Sequence, residues 1–335
     1  MKAIGHTRNG PADDVLEERE VPVPTLSNPW DILVRVKAVS VNPVDTKRRS
    51  IHPIGENTFR ILGYDASGIV EAVGSSVTRF KKGDEVAYAG AIGRDGSNAE
   101  FQLVDSRIVG RKPKSLGYAQ AAAYPLVGLT AWEGLFEGAG IPVDGKGAEG
   151  KKLLVIGGAG GVGSLVIQLA KKLAHLTVIA TASRSESQKF AQSLGADHVI
   201  DHSRNLKEEL KKIGIDSVDY IYNTQSTEHY FEQAVDVLGV TGKLILINET
   251  DEKLPLGKLM SKRLSVIYEL MFTRPIFGVE LEKQGAILDR LAELIESGTL
   301  KSTEGHVEKW SLAGLKSVHK QLESHRTVGK VVLEF

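Results

Sequence analysis

The sequence predicts an α/β chain in which a doubly wound parallel sheet is joined to a second, mainly β domain. Three observations predict it. A glycine-rich break separates a short apolar run from a helical repeat at 152–173. Short strands alternate with helices after that break, and half-buried strands with proline-punctuated loops precede it.

The bulk properties bound the reading. A length of 335 residues suits about two domains, each with its own core. Forty-two basic residues balance 42 acidic ones, so no overall charge favours nucleic acid or an anionic membrane. No apolar run is long enough for a membrane span, and the start M-K-A-I-G-H-T lacks an apolar signal region, so the expectation is a cytoplasmic protein. Cysteine is absent, which excludes disulfides, thiolate catalysis and cysteine-ligated metal.

Taken in order, Ile32–Val41 alternates as a half-buried strand should, and Gly68–Val73, Glu85–Tyr88 and Phe101–Val104 continue that style between turn signals. Ala-rich Tyr118–Ala123 reads as helix, and 138–150 as a polar connector. The alternation then runs strand Thr177–Ala182, helix Glu186–Leu194, strand His198–Ile200, helix Leu206–Ile213 and strand Val218–Asn223. Helix Tyr230–Leu238, stopped by Gly239, strand Lys243–Asn248 and strand Ser265–Met271 complete it. Leu281–Ser297 reads as a helix. Gly329–Phe335 reads as a strand without a near partner, expected to return to the N-terminal β domain.

The break itself is K-L-L-V-I-G-G-A-G-G-V-G-S. Gly158, Gly160 and Gly163 fit G-x-G-x-x-G between a strand and a helix, the arrangement that a dinucleotide pyrophosphate needs. With Gly161 and Val162 they form the candidate phosphate turn. An acid that selects NAD should lie about 20 residues further on, at the end of the second strand. That place reads Ala182-Ser183-Arg184, with no carboxylate before Glu186. Ser183 and Arg184, with Lys189 nearby, suit a 2′-phosphate instead, so the expected cofactor is NADP(H).

Several motifs together carry a family likeness: Val41-Asn42-Pro43-Val44-Asp45, Gly63-Tyr64-Asp65-Ala66-Ser67-Gly68, Gly83-Asp84-Glu85-Val86, Gly128-Leu129-Thr130-Ala131, the glycine turn, and Leu194-Gly195-Ala196-Asp197. By these the chain resembles the medium-chain dehydrogenase/reductase superfamily over essentially its whole length. The resemblance implies a GroES-like catalytic domain made of 1–125 and 272–335, and a Rossmann domain over 126–271. Where the zinc alcohol dehydrogenases of that superfamily carry Cys, His and a third ligand, this chain has Asn42, Tyr64 and Leu126. The expectation is no metal, and the chain looks most like the zinc-free quinone-oxidoreductase branch. Tyr268–Arg274 is similar to a stretch of the bacterial zinc-type alcohol dehydrogenase-like proteins, a name at odds with these residues.

The resemblance also places candidate residues. Asn42 faces nicotinamide and substrate in the quinone reductases and could hydrogen-bond a carbonyl, though an Asn before Pro43 equally shapes a turn. Tyr64 would line the same cavity and bind or protonate an oxyanion, or else simply pack. Lys47 stands where many quinone reductases carry Tyr; it is either an electrostatic stabiliser or a solvated lysine beside Arg48 and Arg49. Thr130, Asn223, Asn248 and, from the tail, Lys330 are candidate cofactor contacts. Leu126, Met271 and Phe272 are candidate apolar walls of the substrate pocket. The leading expectation is a zinc-independent reductase of quinones or α,β-unsaturated carbonyls. It is homodimeric, as is the family habit, through the last Rossmann strand, and binds neither nucleic acid nor membrane. The competing readings are a zinc alcohol dehydrogenase and a low-turnover NADPH-binding redox sensor.

Overall fold

In the computed structural model, residues 1–55 and 58–335 are described. The chain divides into two units, Met1–Leu129 with Phe272–Phe335, and Thr130–Met271. The first boundary falls at Leu129 rather than at residue 125, inside a helix, so no loop or composition shift marks it.

Elements are numbered in chain order. The first unit opens with β1 (Lys2–His6), α1 (Ala12–Val15), β2 (Glu17–Glu20), β3 (Asp31–Val41), α2 (Pro43–Ser50), β4 (Arg60–Ile61) and β5 (Ala66–Val73). It continues through β6 (Glu85–Tyr88), β7 (Phe101–Asp105), β8 (Val109–Arg111), α3 (Tyr118–Ala122) and the start of α4 (Pro125–Trp132). The second unit holds β9 (Lys152–Ile156), α5 (Gly161–Lys172), β10 (Thr177–Thr181), α6 (Ser185–Ser193), β11 (His198–Ile200) and α7 (Leu206–Lys212). Then come β12 (Val218–Asn223), α8 (Thr227–Val237), β13 (Leu238–Leu246) and β14 (Ser265–Tyr268). The tail returns to the first unit as α9 (Thr273–Phe277), α10 (Leu281–Glu296), β15 (Glu304–Lys309), α11 (Leu312–Glu323) and β16 (Lys330–Glu334).

In the first unit the main sheet runs β15-β16-β3-β5-β6-β8, with β7 also paired to β3, and a small sheet runs β2-β1-β4. The final strand finds its partner here: β16 lies antiparallel to β3, with Val331 opposite Val41 and Glu334 opposite Ala38. Ile32, Val34 and Val36 of β3 meet Val70, Val86, Val331 and Leu333 in one core, closed by Leu315 and Val318 of α11.

In the second unit six parallel strands run β11-β10-β9-β12-β13-β14. Leu153–Ile156 is an unbroken apolar run because strand β9 is covered on both faces. The order reverses between β9 and β12, and that reversal opens the ligand crevice of an open parallel sheet at the strands' carboxyl ends. One expected boundary is corrected. Gly239 does not stop α8 and release a later strand; the chain passes directly into β13 at Leu238, with Gly239 inside the strand. Leu238 is drawn in by its pairing with Val218, a tertiary contact that outweighs the breaker.

Candidate active site

In the second unit the candidate phosphate turn follows β9. Gly157 has φ +84°, a conformation only glycine adopts freely, and a Cβ there would strike Thr224 and Gln225. Its N–H donates to Thr181 Oγ1 at 3.0 Å, and that of Gly158 to the Thr181 carbonyl at 3.1 Å. A Cβ on Gly163 would run into the Gly157 carbonyl, and one on Gly158 would come within 2.8 Å of Ala180. Thus α5 starts flush against the strand. Gly160 caps it without a side chain, and Ser164 N–H closes its first turn on the Gly160 carbonyl. The N–H groups of Gly161, Val162 and Gly163 therefore point out of the helix start, as an anion cradle requires. Gly157, which sets the turn, is missing from the sequence-derived set; its place directly after the strand was the available signal.

Beyond β10, Ser183, Arg184 and Lys189 are exposed, with Arg184 as the first flanking residue of α6. Across the crevice the two candidate asparagines hydrogen-bond the loop after β12. Asn223 is buried, accepts from Gln225 N–H at 2.9 Å and donates to the Ser226 carbonyl at 3.3 Å. Asn248 donates to the carbonyls of Thr224 and Gln225, both at 3.1 Å. Both amides thus buttress the loop after β12, because a strand-to-helix turn leaves backbone groups that must be satisfied. Thr130 is buried and accepts from the Tyr222 hydroxyl through its carbonyl at 2.6 Å, while Met271 is buried in the same unit.

In the first unit Asn42, Tyr64, Leu126, Phe272 and Lys330 come together around a residue the sequence reading passed over, Asp65. The Lys330 ammonium lies 3.1 Å from Asp65 Oδ2 and donates to the Val41 carbonyl at 3.2 Å and to Asn42 Oδ1. Asn42 Nδ2 donates to Asp65 Oδ2 at 2.9 Å and to the Tyr64 carbonyl at 3.2 Å, and Leu126 N–H to Asp65 Oδ1 at 2.7 Å. Lys330, Asp65 and Asn42 are all buried. The two candidates thus have protein partners: Lys330 Nζ donates to Asp65, Asn42 and Val41, and the Asn42 amide gives its oxygen to Lys330 and its nitrogen to Asp65 and the Tyr64 carbonyl.

Below this network Asp45 caps α2, accepting the Asn42 N–H through Oδ2 at 2.8 Å, while Oδ1 has no hydrogen-bond partner among the described residues. Burial pushes its pKa to about 7, against the pull of the Asn42 amide and Lys330, with Asp65 adding repulsion. Burial likewise raises Asp65, opposed by Lys330. Tyr64 packs edge-on against Phe272, ring centres 5.2 Å apart, and burial raises its phenol to about 12, with Arg48 working against the rise. Lys47 lies half-buried on α2.

Two family models match the chain, the alcohol dehydrogenase GroES-like domain over residues 28–128 and the zinc-binding dehydrogenase over residues 161–282. A zinc-type alcohol dehydrogenase-like protein of Staphylococcus epidermidis is 38% identical over 99% of both chains. A 2-methylene-furan-3-one reductase of Solanum lycopersicum is 33% identical over 99% of this chain and 79% of its own. Among solved structures, a candidate zinc-dependent alcohol dehydrogenase from Rhizobium etli CFN 42 superposes with TM-score 0.94 at 44% identity, covering 100% and 98% of the two chains. The Escherichia coli quinone oxidoreductase complexed with NADPH superposes with TM-score 0.83 at 27% identity over 100% of both.

Proposed function

Because the chain belongs to the medium-chain dehydrogenase/reductase superfamily, and is an oxidoreductase by that membership, we propose that it reduces quinones or α,β-unsaturated carbonyls with NADPH and without zinc. The observation that carries this reading is the buried Lys330–Asp65–Asn42 network. Zinc would need three protein donors. Leu126 offers only carbon, Tyr64 holds its proton up to about pH 12, and the one amide oxygen of Asn42 accepts from an ammonium. A fixed cation already stands among those positions, so the residues present do not fit the metal. The relatives named as a quinone oxidoreductase and a furanone reductase support the acceptor class.

Without a Lewis acid to hold an alkoxide, the accessible reaction is hydride addition to an already electrophilic carbon. Bound NADPH supplies that hydride. The chain's own work is positioning and electrostatics. The N–H groups of Gly161–Gly163 and the α5 dipole take the pyrophosphate. Ser183, Arg184 and Lys189 take the 2′-phosphate, with no carboxylate at the end of β10 to oppose it. Tyr64, kept protonated, acts as a hydrogen-bond donor to the acceptor oxygen rather than as a base. Leu126, Phe272 and Met271 provide apolar surface.

The test is NADPH oxidation, followed by absorbance, against a panel of quinones and enones with and without a chelator. Turnover that survives chelation is expected. Turnover lost to the chelator would restore the zinc reading, and NADPH binding without turnover on every acceptor would favour a redox sensor. We further propose a homodimer through β14. This strand pairs with β13 on one side, is an edge of its sheet among the described residues, and leaves Tyr268 exposed. A cytoplasmic setting fits this chemistry, and no helix among the described residues is long and apolar enough to cross a membrane.

A further inference from the structure

The turn that receives the pyrophosphate is held from the neighbouring strand by a hydroxyl that also meets an imidazole. Thr181 is fully buried at the end of β10. Its Oγ1 accepts the Gly157 N–H at 3.0 Å and lies 3.1 Å from Nδ1 of His202. A threonine hydroxyl has one proton to give. The Gly157 bond uses one lone pair; with the ring hydrogen on Nε2, His202 Nδ1 takes the hydroxyl proton, and with it on Nδ1 the ring instead donates to the second lone pair. His202 follows β11, whose Ile200 lies opposite Thr181 and accepts the Ala182 N–H at 2.9 Å. The segment bearing His202 therefore leaves the sheet beside the one bearing Ser183 and Arg184.

We propose that His202 is a positioning residue for the cofactor: as a neutral imidazole with its hydrogen on Nε2 it orients the Thr181 hydroxyl, which fixes the Gly157 N–H and with it the phosphate turn. This rests on the dinucleotide reading of that turn. Protonation converts Nδ1 from acceptor to donor and deprives a buried hydroxyl of its acceptor, so cofactor binding weakens as the ring gains charge. The groups facing the ring are Asp201 on its own segment and, on α8, His229 and Tyr230, whose phenol donates to the His202 carbonyl at 3.3 Å. Burial holds the ring below its ordinary pKa, Asp201 and the Thr181 backbone oppose this, and His229 adds to it. The neutral form is therefore the working form at neutral pH, and the loss enters on the acid side.

The experiment measures Kd for NADPH and NADH by titration calorimetry from about pH 5 to 8, a range chosen for imidazole. NADH lacks the 2′-phosphate, whose own titration would otherwise mimic the effect. Wild type is expected to lose affinity for both cofactors at the acid end. His202→Asn, which keeps an acceptor that does not titrate, should hold its affinity level across the range. Thr181→Val should weaken binding about tenfold at neutral pH, the worth of one buried hydrogen bond, and Thr181→Ser should restore it. An acid loss that persists in His202→Asn, or wild-type binding by a folded Thr181→Val, overturns the proposal. Failure of wild type to bind either cofactor at any pH would instead overturn the dinucleotide reading, and this inference with it.

Discussion

Lys330 and Asp65 each make sense only with the other. Either charge alone, buried as both are, would be uncompensated. Lys330→Met should cost roughly 3–5 kcal/mol in denaturant unfolding, the usual penalty for breaking a buried pair from one side, and adding Asp65→Asn should recover part of it. A loss below about 1 kcal/mol for the single variant would show that the network is not the brace described. Asp45 gives a pH signature of the opposite sense to an ordinary ion-paired carboxylate. Its folded pKa, about 7, lies above the ordinary aspartate value of 3.8, so the native state holds a proton that the unfolded state has released. That contribution to stability is present at low pH and is lost as pH rises from about 4 through 7. Asp45→Asn should flatten the slope of unfolding free energy in that window. At the cofactor end, Arg184→Ala should raise the Kd for NADPH about tenfold or more, as expected for a charge-assisted bond, and leave NADH nearly unchanged. Equal effects on both cofactors would remove Arg184 from the 2′-phosphate. None of the buried pairing was legible in the sequence. Asp65 and Lys330 are ordinary charged residues in a chain full of them, and only the fold brings position 330 to position 65.

Whole elements were more readable than the residues they carry. The second unit announced itself because its strands are short apolar runs, such as Leu153–Ile156 and Val218–Asn223, set between helices with a clear apolar face. The glycine turn was legible for the same reason, since strand, glycines and helix stand in one local stretch. What failed was the assignment of roles within it. The sterically forced residue is Gly157, and the tethers on either side come from elsewhere, Thr181 at the end of β10 and Thr224 just after β12. Gly157→Ala should therefore cost about 1 kcal/mol or more for the left-handed backbone, plus the clash with Thr224, and should weaken cofactor binding along with the melting temperature. Calorimetry on one sample reads both, and a variant that melts normally and binds normally would remove Gly157 from the site. In the first unit β15 and α11 went unread. Glu304–Lys309 is largely polar and exposed, and it becomes a strand through parallel pairing with β16.

At the scale of the molecule, the arrangement of the chain matters more than any single contact. The second unit is drawn from one continuous segment, whereas the first is assembled from both ends of the chain. If β14 is the seam between two copies, a charge on its exposed face should open it. Tyr268→Lys is expected to shift light scattering from a dimer mass to a monomer mass, and a wild type already of monomer mass would end that reading. The two-ended assembly also bears on how the protein is made. Strand β16 occupies an interior place in its sheet, between β15 and β3, yet it follows β3 by almost three hundred residues, Val331 pairing with Val41. During synthesis β7 can cover residues 31–35 of β3 early, but the 38–41 part of its edge stays open until β16 has emerged. The middle segment can fold in the meantime. A chain that stopped before Lys330 would still hold every strand of the second unit but lack β16 and the cation that faces Asp65. Such a product would carry an exposed strand edge for proteases and chaperones to recognise. Arrival of β16 thus marks the point at which the first unit can close its sheet and pair the Asp65 carboxylate.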